Sequence, residues 1–403
     1  MKNIIFVFIL ISCFISCKNK KKFEGKWTNW TLKNYGYNET KNVVIQNDSI
    51  KFNYTAFNFW NKYPLTIEKG KFKFNNITLK GSIEKDTLTF NDSIHFIKDD
   101  LDTLYDYKPL LKIELPQISK LIKTSKKENN LISYLYYGKR IDNGEFGLQL
   151  NDKYAKLKDI PAFLNYERTS TRCELSLLPS TYLIIDKTTP MKYLEDIFYN
   201  LSIINKLKIC FINNITINFN DSLGLYYEYE RLMKKLPPYR ENDNYNTNTS
   251  SEKYSIPPPP PLALPLFDKT TPEIKFIYLK KDKIYFKNEI IKPEDLRFLI
   301  KPWIKKNNVI FSLYDLESTY CSFLEMNAII NNTYEDVREK ESKLTFNKTL
   351  KELNKEKHLE IKMKIRMYHI WNYSIPHYNS IIKKNNSFFG LNAPLVHSKT
   401  SVE

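Results

Sequence analysis

The chain has 403 residues, a formal net charge of +17, 42% hydrophobic residues and only nine glycines. That length allows more than one domain, and so few glycines argue against phosphate-cradling loops. The positive balance would suit nucleic acid, but lysines spread along the chain read as solvated faces, and no nucleic-acid partner is expected.

Lys2 followed by the apolar run Ile4–Ile15 and then Ser16-Cys17 has the order of an exported leader. Residues 1–17 are read as a lipoprotein signal peptide with lipidation at Cys17, Cys13 being the alternative cleavage point. The run holds no Asp or Glu and is shorter than the roughly 20 residues that a spanning helix needs. The expected location is the cell envelope, anchored to a membrane by lipid and facing the periplasm. Lys18, Lys20, Lys21 and Lys22 would then lie against anionic headgroups.

Residues 23–113 alternate in short strands such as Phe72-Lys73-Phe74 and Leu88-Thr89-Phe90, broken by Asn-Asp and Lys-Gly turns. An antiparallel β meander or small barrel is expected. Its opening, Gly25-Lys26-Trp27, is similar to the start of lipocalin-like barrels, which implies a Trp27 plug or, if a cavity is lined by Trp27, Phe52 and Trp60, an apolar ligand. Helical character is read for Ile118–Lys126.

The run from Leu148 to Leu164 contains an alternating hairpin and a short helical face, and the strand Tyr182–Ile185 ends in Asp186. Thr189 reads as N-cap and Pro190 as first helical residue, with Leu194, Ile197, Phe198 and Leu201 on one face and Ile209–Ile212 as the closing strand. The same pattern returns from Ile284 to Ile300, and the strand Val309–Tyr314 ends in Asp315. A helix from Thr319 then buries Phe323, Met326 and Ile330, and Ile361, Met363, Ile365 and Met367 read as a final strand. The fold class predicted is α+β: the β domain followed by two diverged α+β repeats, residues 145–213 and 274–371. They are expected to fold separately, joined by a Pro/Asn-rich linker at 239–272 with the proline run Pro257–Pro261 and followed by a flexible tail at 385–403.

This order of hairpin, helix, strand-Asp, helix and strand resembles the periplasmic domain of the ExbD/TolR (biopolymer transport) family. The resemblance implies domains that contact peptidoglycan or a TonB/Tol-type envelope protein through a sheet edge or groove, with the strand before Asp315 as the expected edge. Family members also carry a proton-conducting carboxylate on a transmembrane helix. This chain has none in its apolar segment, so the resemblance implies binding rather than motor work.

Asp186 and Asp315 are the residues that recur at equivalent places, as helix caps or partner contacts. Cys173, Cys210 and Cys321 do not correspond between the copies, and the five histidines lack zinc spacing. No catalytic residue, metal or cofactor is expected. The function read is non-catalytic envelope binding, with a lipocalin-like carrier and a hydrolase of unrecognised type as the alternatives.

Overall fold

The computed structural model describes residues 22–28, 40–54, 59–98, 110–118, 122–124, 132–151, 153–170, 180–204, 208–220, 224–236 and 273–385. The lipidation site at Cys17 or Cys13, the linker at 239–272, Cys173 and the tail beyond Asn385 lie outside the described residues. The chain divides into two compact units. One comprises Met1–Leu110, Lys123–Asn129 and Asn214–Arg231; the other Leu111–Ile122, Asn130–Asn213 and Leu232–Glu403.

In the first unit nine strands form one sheet: β1 (Gly25–Thr28), β2 (Thr40–Gln46), β3 (Ser49–Tyr54), β4 (Phe59–Pro64), β5 (Thr66–Glu68), β6 (Lys71–Phe74), β7 (Ile77–Glu84), β8 (Thr87–Phe90) and β9 (Ile94–Lys98). Their order is β4-β3-β2-β1-β9-β8-β7-β6-β5. The ends of this path, β4 and β5, are neighbours in sequence separated by Leu65 alone, whose N–H donates to Asp48 O at 2.8 Å. The sheet is therefore a nearly closed, barrel-like antiparallel sheet. Three of its hairpins turn on residue pairs with both φ angles positive, Asn47-Asp48, Asn75-Asn76 and Asn91-Asp92. Short polar side chains tolerate that geometry, which matches the twist of the flanking strands.

Alternation sends Phe72, Phe74, Leu79, Leu88 and Phe90 inward. There the rings of Phe72 and Phe90 meet edge-on at 5.1 Å, Phe23 and Phe72 at 4.8 Å, and Phe52 and Phe74 tilt together at 5.2 Å. Trp27 is 1% exposed and its Nε1 donates to Phe23 O at 3.1 Å, so both its apolar body and its donor are satisfied. Buried aromatic side chains pack inside the sheet around Trp27 and Phe52; the side chain of Trp60 lies outside the described residues. Gly81 is required by this packing, because a Cβ there would stand 2.2 Å from the Phe72 ring.

The second sheet contains β10 (Leu111–Lys112), β11 (Ile122–Thr124), β12 (Ile132–Arg140), β13 (Phe146–Leu150), β14 (Lys153–Ala155), β15 (Ser180–Ile185), β16 (Lys208–Asn220) and β17 (Gly224–Lys235). Two helices belong to the same stretch, α1 (Ile160–Ser170) and α2 (Met191–Ile203). A third sheet is formed by β18 (Ile274–Lys280), β19 (Lys283–Phe286), β20 (Glu289–Ile291), β21 (Val309–Tyr314) and β22 (His369–Ile370). It is accompanied by α3 (Pro293–Lys305), α4 (Tyr320–Phe346), α5 (Lys355–Lys364) and α6 (Ile375–Asn385).

The second sheet includes the path β14-β13-β12-β15-β16, and the third reads β20-β19-β18-β21-β22. Pairing senses agree step for step: antiparallel, antiparallel, parallel, parallel. β15 and β21 are each buried along all six residues, as strands covered on both faces must be.

Three expectations are corrected. Ile122–Thr124 is a strand, not helix. The run from Ile361 to Met367 is not a strand: α5 extends to Lys364, capped by Asn354 Oδ1 accepting from Lys357 N at 2.9 Å. Only Ile361 and Ile365 of its four apolar residues are buried, and a spacing of four is the helical period, while Met363 and Met367 are exposed. Finally, the two α+β parts do not fold around separate cores. Leu194, Phe198 and Phe211 share one cluster with Phe323, Met326 and Trp371. Phe198 lies 6.3 Å from Phe323 and 5.5 Å from Trp371.

Candidate functional site at the paired aspartate loops

Asp186 follows the last residue of β15, and its N–H donates to Tyr137 O on the parallel neighbour β12. Its Oδ1 accepts from Thr188 N at 2.9 Å and from Thr188 Oγ1 at 2.5 Å, and its Oδ2 from Glu114 N at 2.8 Å. Asp315 repeats this arrangement after β21. Its N–H donates to Leu279 O on β18, Oδ1 accepts from Ser318 N at 2.7 Å and Ser318 Oγ at 2.5 Å, and Oδ2 from Lys281 N at 2.9 Å. Each carboxylate thus ties its own loop to a neighbouring backbone segment. Neither aspartate is the residue at the cap position of the following helix: those are Pro190, one place later than expected for the helix start, and Thr319. With three donors each, both carboxylates act as loop anchors. Gly138 allows the close approach at Asp186, since a Cβ there would lie 2.9 Å from Lys112 O.

These two loops meet each other. Pro190 and Thr319 form an antiparallel bridge. Met191 N donates to Ser318 O and Tyr320 N to Thr189 O, both at 2.8 Å. Lys192 N donates to Leu316 O at 3.0 Å, and Cys321 N to Lys187 O at 3.1 Å. Exchanging the equivalent residues of the two loops converts each bond of a pair into the other, which is the signature of an isologous, two-fold contact. The first two N–H groups of α2 and of α4, which no helix can satisfy internally, are taken up by the opposite loop. Asp282 completes the end of α4, its Oδ1 accepting from Thr319 N at 2.7 Å and Oγ1 at 2.9 Å.

Two buried polar clusters lay beyond the sequence reading. Lys234 Nζ stands 3.1 Å from His369 Nδ1, and His369 Nε2 stands 2.7 Å from Ser312 Oγ. An ammonium can only donate, so Nδ1 accepts, the ring proton sits on Nε2 and that proton goes to Ser312. Burial pushes Lys234 down to about 7 and His369 well below its ordinary range, the latter aided by the Lys234 charge. With its proton turned toward Ser312 the ring is no base for that hydroxyl, and Ser312 is 0% exposed in the middle of β21, so the hydroxyl is closed to a substrate. In the second cluster Glu195 Oε1 accepts from Ser374 Oγ at 2.5 Å and lies 3.7 Å from His377 Nδ1. Burial raises the Glu195 carboxyl and lowers His377 to about 4. The partners are far apart in sequence, and single Ser, His and Lys residues on alternating strands give no spacing from which to read them.

The strand before Asp315 was expected to be an open edge. It is not: β21 lies between β18 and β22. The open edge of this sheet near the hairpin is β20, where Ile290 is 57% exposed. The corresponding edge β14 is partly covered, since the Arg140 guanidinium sits 4.0 Å over the Tyr154 ring.

The fold and these sites define an α+β protein with an N-terminal barrel-like antiparallel sheet. Compared with known protein families, curated proteins and solved structures, the chain matches none. Among the described residues no group of His, Cys, Asp or Glu could hold a metal ion, and no helix is long and apolar enough to cross a membrane. Cys210 is a buried cysteine in β16 and Cys321 a half-buried one in α4, neither of them in a disulfide.

Proposed function

We propose that the chain is a non-catalytic, lipid-anchored binding protein of the cell envelope, held through Cys17 or else Cys13. Its two α+β parts are a duplicated ExbD/TolR-like module that holds peptidoglycan or a TonB/Tol-type envelope protein. The observation that carries this reading is the two-fold pairing of the Asp186 and Asp315 loops between sheets of identical strand order. A duplicated unit paired in this way resembles a homodimer made within one chain. The close packing of Phe23, Phe52, Phe72, Phe74 and Phe90 within the N-terminal sheet favours binding by the paired module over a carrier of apolar molecules.

Within the module the docking element is β20. Phe286 and Glu289 flank the two-residue turn Lys287-Asn288 and form the hydrogen-bonded pair of that hairpin, so the next residue, Ile290, turns its N–H and C=O outward. An extended peptide can complete such an edge. Because the two parts share a core, the test uses the full chain, sedimented with isolated peptidoglycan and passed over an immobilised TonB-type periplasmic domain. Retention by one of these is expected, and if the retained partner is the protein, Ile290→Pro should weaken it by removing an outward donor without breaking the hairpin. Retention by neither, with uptake of an apolar fluorescent probe instead, would replace this reading with the carrier.

A further inference from the structure

Arg297, Lys301 and Lys305 recur every four residues along α3 and so share one face of it. That face runs beside α4, where Arg297 forms an ion pair with Asp336. One turn further on, Lys301 meets Lys340, ammonium against ammonium, and the Lys340 charge is the main reason that the Lys301 amine is held below its ordinary range. The carboxylates that could have neutralised this pair are taken. Glu335 pairs with Arg338, Asp336 with Arg297, Glu339 with Lys343 and Glu341 with Lys364. Two cations are thus left facing each other on the surface with no acidic partner among the described residues.

The same place carries the two most exposed large apolar side chains described. Phe298, three residues before Lys301, is 73% exposed, and Leu344, four residues after Lys340, is 82% exposed. Exposed phenyl and isobutyl groups beside unpaired ammoniums suit an interface that is anionic at its surface and apolar just beneath. A purely polar polyanion would leave Phe298 and Leu344 in water, and an apolar protein groove would bury Lys301 and Lys340 uncompensated.

We infer that the α3–α4 face around Phe298, Lys301, Lys340 and Leu344 is a membrane-contact surface that docks on anionic lipid headgroups, with Phe298 and Leu344 entering the acyl boundary. This contact does not depend on the lipid at Cys17 or on the docking edge at Ile290, so sedimentation with peptidoglycan and the vesicle experiment can fail independently.

The test compares the full chain on vesicles of phosphatidylcholine alone with vesicles in which phosphatidylglycerol replaces part of it. The apolar N-terminal run and Lys18–Lys22 are the same in every variant, so they cancel. The native chain should prefer the anionic vesicles, the more so at low salt. In Lys301→Gln/Lys340→Gln that preference should fall about 30-fold, the effect of two headgroup-contacting lysines. Phe298→Ser/Leu344→Ser should bind the anionic vesicles more weakly than the native chain while still distinguishing them from the neutral ones. Relief of the Lys301–Lys340 repulsion should leave the glutamine variant at least as resistant to heat as the native chain, which separates lost binding from lost folding. Anionic preference unchanged in the glutamine variant would overturn the inference, as would capture of an acidic protein by a native chain indifferent to lipid charge.

Discussion

Lys234 is the least expected residue of the molecule: a buried amine whose described partner is the neutral ring of His369. Its folded pKa, about 7, is depressed from the ordinary lysine value, so between these two values the unfolded chain binds a proton that the folded chain does not. Stability must then rise with pH across that window, by up to about 1.4 kcal/mol per pH unit, and the full penalty applies below it. The His369 shift has the same sign at lower pH: its stabilising contribution is lost as pH falls through the ordinary histidine range. Lys234→Met should accordingly be more stable than the native chain near pH 6. Near pH 10 it should be less stable by about 1–2 kcal/mol, because His369 Nδ1 then lacks a donor while most of the cost of the native amine is gone. Urea unfolding at the two pH values checks this; a stability difference that does not change between them would contradict it. The legible residues are of another kind. Asp186 and Asp315 stood out because each ends an apolar strand, but a strand-final aspartate is equally compatible with a cap, and what decides its role is Glu114 N in one case and Lys281 N in the other. Glu114 is a long way from Asp186 along the chain and offers only a backbone donor, which has no signature in sequence.

At the scale of elements, strands and turns were legible wherever side-chain period and turn chemistry agreed. Leu88-Thr89-Phe90 with Asn91-Asp92 is one such place, since alternation and positive-φ residues point to the same hairpin. Ile361 to Met367 went the other way because its apolar residues alternate, while Asn354 and the last-turn Lys362 and Lys364 favour a helix. The end of that helix is held by Arg338 on α4, whose Nε and Nη2 donate to Ile365 O at 3.0 and 2.9 Å while Nη1 donates to Glu335 at 2.7 Å. Arg338→Ala leaves a helix-terminal carbonyl without its charged donors and should cost about 1.5–3 kcal/mol. Arg338→Lys should recover only part of this, because a lysine lacks the fork, and thermal unfolding of both variants reads the difference. Equal stability of the lysine variant and the native chain would deny the fork its role. In the N-terminal sheet, Gly81→Ala should cost about 1–3 kcal/mol in the same assay, since Phe72 is fully buried against Phe23 and Phe90 and has nowhere to yield. A neutral result would mean that the interior has room, which would revive the apolar-ligand reading of that sheet.

For the whole molecule, the matching order of elements in the two α+β parts was legible but the way these parts associate was not. Periodicity tells each helix which face to bury, and Phe198 and Phe323 were both assigned inward without any indication that they bury against each other. The bonds that join the copies run between backbone groups of residues 187–192 and 316–321. A proline-rich spacer suggested independent domains, whereas one hydrophobic cluster draws on both parts, and unfolding as a single cooperative unit is the expected consequence. A binding module made by pairing the two α+β parts requires that coupling. Hydrogen exchange on the full chain carrying Phe323→Ala tests it most directly, because the substitution lies in the second copy and should cost about 3–5 kcal/mol. If the copies are one unit, the amides of Ser180–Ile185 in the first copy should lose protection by the same amount as those of Val309–Tyr314 in the second. Loss confined to Val309–Tyr314, with Ser180–Ile185 as protected as in the native chain, would contradict it.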